Sequence, residues 1–186
     1  SYSDAMLKYG SDKPDLRNPL IISDVTTLFE REDVTLEISD LTNIFNREDV
    51  TFDIFKKLVK SGSIVRSIVT KNTKDKPRSF FDGIDKWAKE EGSSGLAYFT
   101  LEKGDKISAK GPVGKFFSES SLIEIMKQTS ANIGDTVFLS CGKKNDIEKI
   151  LSVARNKIAQ DLNLIDEDCF SFCWVVDYPM YEVDEI

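Results

Sequence analysis

Gly111-Pro112-Val113-Gly114-Lys115 has the composition of a loop that could hold a phosphate, since glycines free backbone amides to face an anion and a lysine can neutralise it. The pattern is incomplete. Ala109 stands where the first glycine of a phosphate loop belongs, and Phe116 stands where a Ser or Thr should hold magnesium. Gly111 and Gly114 also match the GXXG spacing of loops that grip nucleic-acid backbone, but Pro112 removes one of the amides such a loop uses. A plain turn is the expectation. The chain has no His, which removes a histidine base, a Ser-His-Asp triad and a Cys-His pair. Three Cys (Cys141, Cys169 and Cys173) without His offer little from which to build a zinc site, so free thiols and no metal site are expected. Carboxylates are plentiful, yet nothing in the sequence places two of them in an apolar pocket that would split their pKa values. No catalytic residue is assigned.

Charge is distributed unevenly. The net charge of -7 disfavours a general nucleic-acid binder. Residues 22–53 carry nine acids against Arg31 and Arg47, whereas residues 56–78 carry eight bases against Asp75 alone. Lys56, Lys57, Lys60 and Arg66 in that basic run are therefore the candidate contacts for a polyanion. Residues 161–186 return to eight acids and no base. No apolar run is long enough to span a membrane and no secretory leader pattern is present, so the reading is a soluble, cytoplasmic protein.

At 186 residues and 40% hydrophobic, the chain can bury one sizeable core. It starts at Ser1 and stops in mid-pattern at Asp184-Glu185-Ile186, and is read as a piece of a larger protein. The stretch Ile22–Glu37 recurs as Ile38–Asp53 with ten of sixteen residues identical, a local tandem duplication of a helical turn followed by a short strand. β-branched residues 63–71 predict a strand. Ser79-Phe80-Phe81-Asp82 predicts a helix start, with Asp82 complementing the exposed amides and Gly92 as the stop. Phe80, Phe81, Ile84, Trp87 and Ala88 form its apolar stripe, so these aromatic rings are core residues before they are base-stacking ones. Strands are expected at Leu96–Leu101, Ile107–Lys110, Asp135–Cys141 and Phe170–Val176. Ser121-Leu122-Ile123-Glu124 predicts a capped helix, and Asn145 with Glu148 another and longer one. Hairpins mixed with helices argue for an α+β two-layer sandwich, a mainly antiparallel sheet with helices on one face.

The flanks are the most specific strings. Tyr9-Gly10-Ser11-Asp12-Lys13-Pro14-Asp15-Leu16-Arg17 resembles the string that leads out of the catalytic core in bacterial aspartyl-tRNA synthetases. Trp174-Val175-Val176-Asp177-Tyr178-Pro179-Met180-Tyr181-Glu182 resembles the string by which the chain re-enters that core. Between them, residues 81–88, 95–98 and 111–116 are similar to the GAD domain, the insertion domain of those enzymes, which is also found in an archaeal tRNA-dependent amidotransferase subunit.

The resemblance implies two strand-strand-helix units in two layers. It implies a flank at 1–19, an inserted domain at 20–168 containing the 22–53 duplication, and a re-entering strand at 169–186. The parent would activate aspartate with ATP and magnesium and load it onto tRNA, as a homodimer joined through its catalytic core. This portion would hold no cofactor and be inactive alone, because the second and third class II motifs, the histidine loop and the anticodon-binding domain have no counterpart here. Asp12, Lys13, Arg17 and Asp177 fall in the bordering strings and are candidates for the active-site rim; Lys56, Lys57, Lys60 and Arg66 are candidates for an accessory tRNA contact. The alternative is a structural or interaction module that rigidifies the synthetase core without touching tRNA. In either case the two flanks should lie close together, because an inserted domain leaves and re-enters its host at one place.

Overall fold

The computed structural model describes residues 1–27 and 61–181. Most of the duplicated stretch, together with Lys56, Lys57 and Lys60, lies outside these residues. Helix α1 (Tyr2–Tyr9) opens on a reciprocal cap, in which the Ser1 hydroxyl accepts the Asp4 amide and the Asp4 carboxylate reaches back to Ser1. It ends at Gly10, left-handed at φ 65°. Strand β1 (Ile22–Asp24) follows, then β2 (Ile64–Thr70), α2 (Arg78–Glu90), β3 (Ala97–Lys103), β4 (Ile107–Lys110), a 3-10 turn (Gly114–Phe116), α3 (Glu119–Thr129), β5 (Thr136–Gly142) and α4 (Lys144–Asp161).

The strands form one sheet in the order β1-β2-β5-β3-β4 with every neighbouring pair antiparallel, so the expected α+β class with an antiparallel sheet is what the chain builds. Among the described residues the elements fall as β1-β2-α2 and β3-β4-α3, two strand-strand-helix groups, with residues 28–60 standing between β1 and β2. The helices are divided between the two faces of the sheet. Across one face, Ile22, Ile68, Phe138 and Tyr98 stand in register and pack under α2 and α4, where Phe81 stacks on Tyr98 with ring centres 5.0 Å apart. Across the other, Val65, Val69, Val137, Leu139 and Phe99 pack under Leu122 and Ile125 of α3. Helices on one face therefore describes α2 and α4 but not α3. The central strands bury both sides, which is why β5 reads as a continuous run rather than an alternating one.

Helix starts depart from expectation by up to a turn. α3 is capped by Ser118, whose hydroxyl accepts the Ser121 amide, so Ser121 lies inside the helix. α4 begins at Lys144 with Lys143 rather than Asn145 at the cap. Asp82 does not serve the helix amides; its carboxylate takes the Tyr98 hydroxyl at 2.8 Å and the Arg78 guanidinium at 3.1 Å. Phe170–Val176, expected as a strand, carries no regular structure and pairs with no strand among the described residues. Asp135, buried ahead of β5, accepts Lys71 Nζ, the Asn72 amide and the Asn132 amide at 2.8–2.9 Å, which ties the turn after β2 to the start of β5. Burial pushes the Cys141 thiol up to about 11, an inert core position. No helix among the described residues is long and apolar enough to cross a membrane.

Burial first, and then the Asp82 hydrogen bond, pushes the Tyr98 hydroxyl up from 10.0 to about 12. The folded chain thus holds this proton more tightly than the unfolded one, so stability from it is complete below pH 10 and declines as pH rises towards 12. A tyrosinate absorbance titration should show one of the five tyrosines ionising only near pH 12, and Tyr98→Phe should remove that late step. Five tyrosines ionising together while the sheet stays folded would contradict it.

Candidate functional site

Two segments without regular structure meet beside α1 and α4. The first is the loop from Gly10 to Leu20, and the second runs from Asp166 to Tyr181. The Tyr2 amide donates to the Val176 carbonyl at 2.7 Å, the Tyr2 and Tyr178 rings lie 5.1 Å apart, and the Tyr178 hydroxyl donates to Asp12 Oδ2 at 3.4 Å. The strings on either side of the sheet domain therefore come together.

Within this junction Lys13 Nζ donates to Asp12 Oδ2 at 2.7 Å. That bond holds the Asp12 carboxyl below its ordinary value and the Lys13 ammonium above its own. Arg17 forms a two-pronged pair with Asp15, Nε to Oδ1 at 2.9 Å and Nη2 to Oδ2 at 2.8 Å. The Asp15 carboxyl is held down by that pair and the Arg17 guanidinium raised by it. Asp177 adopts a positive φ of 62°, a strained position for a residue other than glycine, between the Val176 carbonyl that binds Tyr2 and the Tyr178 ring. Asp12, Lys13 and Asp177 thus share one junction, while Arg17 lies further along the loop. Outward from it the second segment presents Phe170, Phe172, Trp174 and Met180, each at least 86% exposed.

The loop is held from behind. Arg155, in the half of α4 nearer its C-terminus, is 2% exposed and donates Nε to the Leu20 carbonyl and Nη2 to the carbonyls of Asp15 at 2.9 Å and Asn18 at 2.6 Å. Its guanidinium also lies 4.9 Å from the centre of the Tyr9 ring. Asn18 answers with Nδ2 to the Arg155 carbonyl and to Asn156 Oδ1, both at 3.1 Å. Gly10 packs so tightly on α4 that a Cβ there would collide with the Glu148 carbonyl oxygen. Sequence reasoning misses both Arg155 and Asn18. The usable signal is a charged residue four positions after Leu151 in the buried stripe of α4.

Lys56, Lys57 and Lys60 of the basic run lie outside the described residues, and Arg66 is the one expected contact that lies within them. Arg66 is not a surface cation: it is buried in β2 with Nη1 paired by charge with the Asp24 carboxylate, and among the described residues neither Nη1 nor Nε finds a hydrogen-bond acceptor. The Gly111–Gly114 motif is a turn against the β3–β4 hairpin. Gly111 has φ 134° and packs on the Tyr98 carbonyl and Phe99 Cα, and a Cβ on Gly114 would meet the Ala109 carbonyl oxygen at 2.5 Å. Its glycines answer to close backbone approach rather than to a phosphate. Among the described residues no three His, Cys, Asp or Glu side chains group to hold a metal ion.

The GAD domain family profile matches residues 55–151, a little over half of the chain. A protein of Pelagibacter ubique named "Aspartate--tRNA(Asp/Asn) ligase" is 69% identical over 185 residues, which cover 100% of this chain and 28% of that protein. Proteins of the same name from Beijerinckia indica and Rickettsia bellii are 42% and 41% identical across 99% of this chain, and it covers 28% and 27% of them. The chain thus spans a little over a quarter of the length of these curated relatives.

Gly114→Ala should lower stability by about 1–3 kcal/mol, because the added methyl meets the Ala109 carbonyl and the turn must shift. Gly104→Ala is the control, since a Cβ there has nothing within 4 Å. Urea unfolding of both checks this, and equal midpoints would remove the close-approach account.

Proposed function

The chain belongs to the GAD domain family, and from that premise we propose that it is the inserted domain of an aspartate–tRNA ligase, carrying short flanks of the class II catalytic core at both ends. The observation that carries the reading is the similarity across the whole chain, both flanking strings included, to ligases of which it covers about 28%. Residues 1–19 would leave the core, 20–168 would form the inserted domain, and 169–186 would re-enter the core. The contact of Tyr2 with Val176 and Tyr178 supports exit and re-entry at one place. Exposed Phe170, Phe172, Trp174 and Met180 support a segment whose partner is the rest of the parent protein.

In this reading the parent is a cytoplasmic homodimer that activates aspartate with ATP and magnesium and transfers it to tRNA, and the inserted domain alone is inactive. The relatives are named for both aspartate and asparagine tRNAs, and the proposal extends to both. The magnesium–ATP chemistry would fall to the remainder of the parent, where the second and third class II motifs belong. Asp12, Lys13, Arg17 and Asp177 would stand at the rim of its active site. An accessory tRNA contact would fall on Lys56, Lys57 and Lys60, because Arg66 is committed to Asp24 inside the sheet.

Reversing Lys56, Lys57 and Lys60 to Glu in the full-length ligase should raise the KM for tRNA and flatten its salt dependence, by about 1 in the log–log slope for each lysine that would otherwise neutralise a phosphate. Unchanged tRNA kinetics across a salt series would rule these lysines out as tRNA ligands. The clasp of α4 on the Gly10–Leu20 loop favours a second reading, a module that stiffens the core. Replacing residues 20–168 by a short bridge separates the two: lower thermal stability with normal tRNA affinity supports the stiffening role, and weakened tRNA binding at normal stability supports the tRNA arm.

A further inference from the structure

Between Tyr9 and Leu20 the chain forms no helix or strand, yet three of its carbonyls converge on one guanidinium. Arg155 touches both ends of the segment that carries Asp12 and Lys13. At one end its guanidinium faces the Tyr9 ring at 4.9 Å, and at the other its Nη2 binds the Asp15 carbonyl at 2.9 Å. The five residues between those anchors form a loop whose closure costs chain entropy, and a single buried cation closes it. Burying a guanidinium against carbonyls alone is costly unless its N–H groups are satisfied, so the loop is held to the geometry that satisfies them. Asn18 fixes the frame from the other side, accepting the Leu20 amide at 3.0 Å while it donates to α4.

The clasp has a particular place in the fold. α4 begins inside the segment matched by the GAD family and runs past its end at residue 151, so Arg155 lies on the same rigid helix but beyond that match. The neutral alternative is a clasp that only stabilises the domain. Against it stands the target, because the carbonyls Arg155 holds belong to the loop that carries Asp12, Lys13 and Arg17 rather than to the sheet.

We infer that Arg155 is a positioning residue for aspartate activation, acting from the inserted domain through the 9–20 loop to set the placement of Asp12 and Lys13 at the active-site rim. This rests on the ligase reading. In the full-length enzyme, Arg155→Met should raise the KM for aspartate or ATP in pyrophosphate exchange by roughly 10- to 100-fold, as expected when a positioned group is displaced by about 1 Å. The KM for tRNA should stay within about twofold of the parent. Gly10→Ala, which leaves the guanidinium intact and pushes the loop off α4, should give the same signature. A fall in kcat at unchanged KM, in proportion to the loss of folded enzyme, would show a stabilising role only and overturn the positioning role. Hydrogen exchange of the 186-residue chain supplies a readout independent of ligase activity: Arg155→Met should accelerate the amides of residues 10–20 while those of β5 stay protected. Unaltered exchange in that loop overturns the clasp itself. A full-length parent without aspartate-dependent exchange overturns the ligase reading, and with it the positioning role.

Discussion

The fold depends on β5 being enclosed on every side. It pairs with β2 along one edge and β3 along the other, and both of its faces are buried. Such a strand has no position for a charge, and its polar groups must find partners inside the sheet. Thr136 does so, facing the Thr100 hydroxyl at 2.8 Å and offering its carbonyl to Thr70, so that a row of threonines closes one end of the sheet. At the other end the row is Asp24, Arg66 and Ser140, where the Ser140 hydroxyl and Arg66 Nε find no hydrogen-bond partner among the described residues. The two ends thus differ in quality. One is a satisfied hydroxyl ladder, and the other an ion pair that relies on the edge strand β1 for its acid.

Sequence makes the elements legible where periodicity has no competitor. The strand at 64–70, the hairpin at 97–110 and the stripe of α4 follow from branching and spacing alone. Helix starts are less legible because several capping residues stand side by side. Ser118, Ser120 and Ser121 can all cap, and the Glu119 carboxylate settles the register by accepting the Ile107 amide at 2.9 Å. Asp82 misleads for a related reason. Its carboxylate has a tertiary partner in Tyr98, and a local rule cannot anticipate a strand that comes sixteen residues later.

Site legibility divides in the same way. The strings around Asp12 and Asp177 are recognisable as strings, and that they meet follows from the logic of insertion. What holds them is not legible, since a buried arginine satisfied by carbonyls leaves no acidic partner in the sequence to find. Arg66 shows the converse. It belongs to a basic run by composition, but the pleat turns it inward towards Asp24, so composition alone overstates the exposed positive surface.

The strand order also fixes a sequence of events in time. β5 is made last of the five strands, yet it inserts between β2 and β3, joining Ile64 to Gly142 and Thr70 to Thr136. Contacts between such distant positions form slowly, because the intervening chain must be ordered before they repay it. During synthesis, β2 and the β3–β4 hairpin therefore wait with their inner edges open, and an open edge is where strands of other chains add. A nascent chain that has not yet reached Thr136–Gly142 holds two half-sheets with no strand to join them, so the interval before β5 is made is the one in which its sheet edges are most open to other chains.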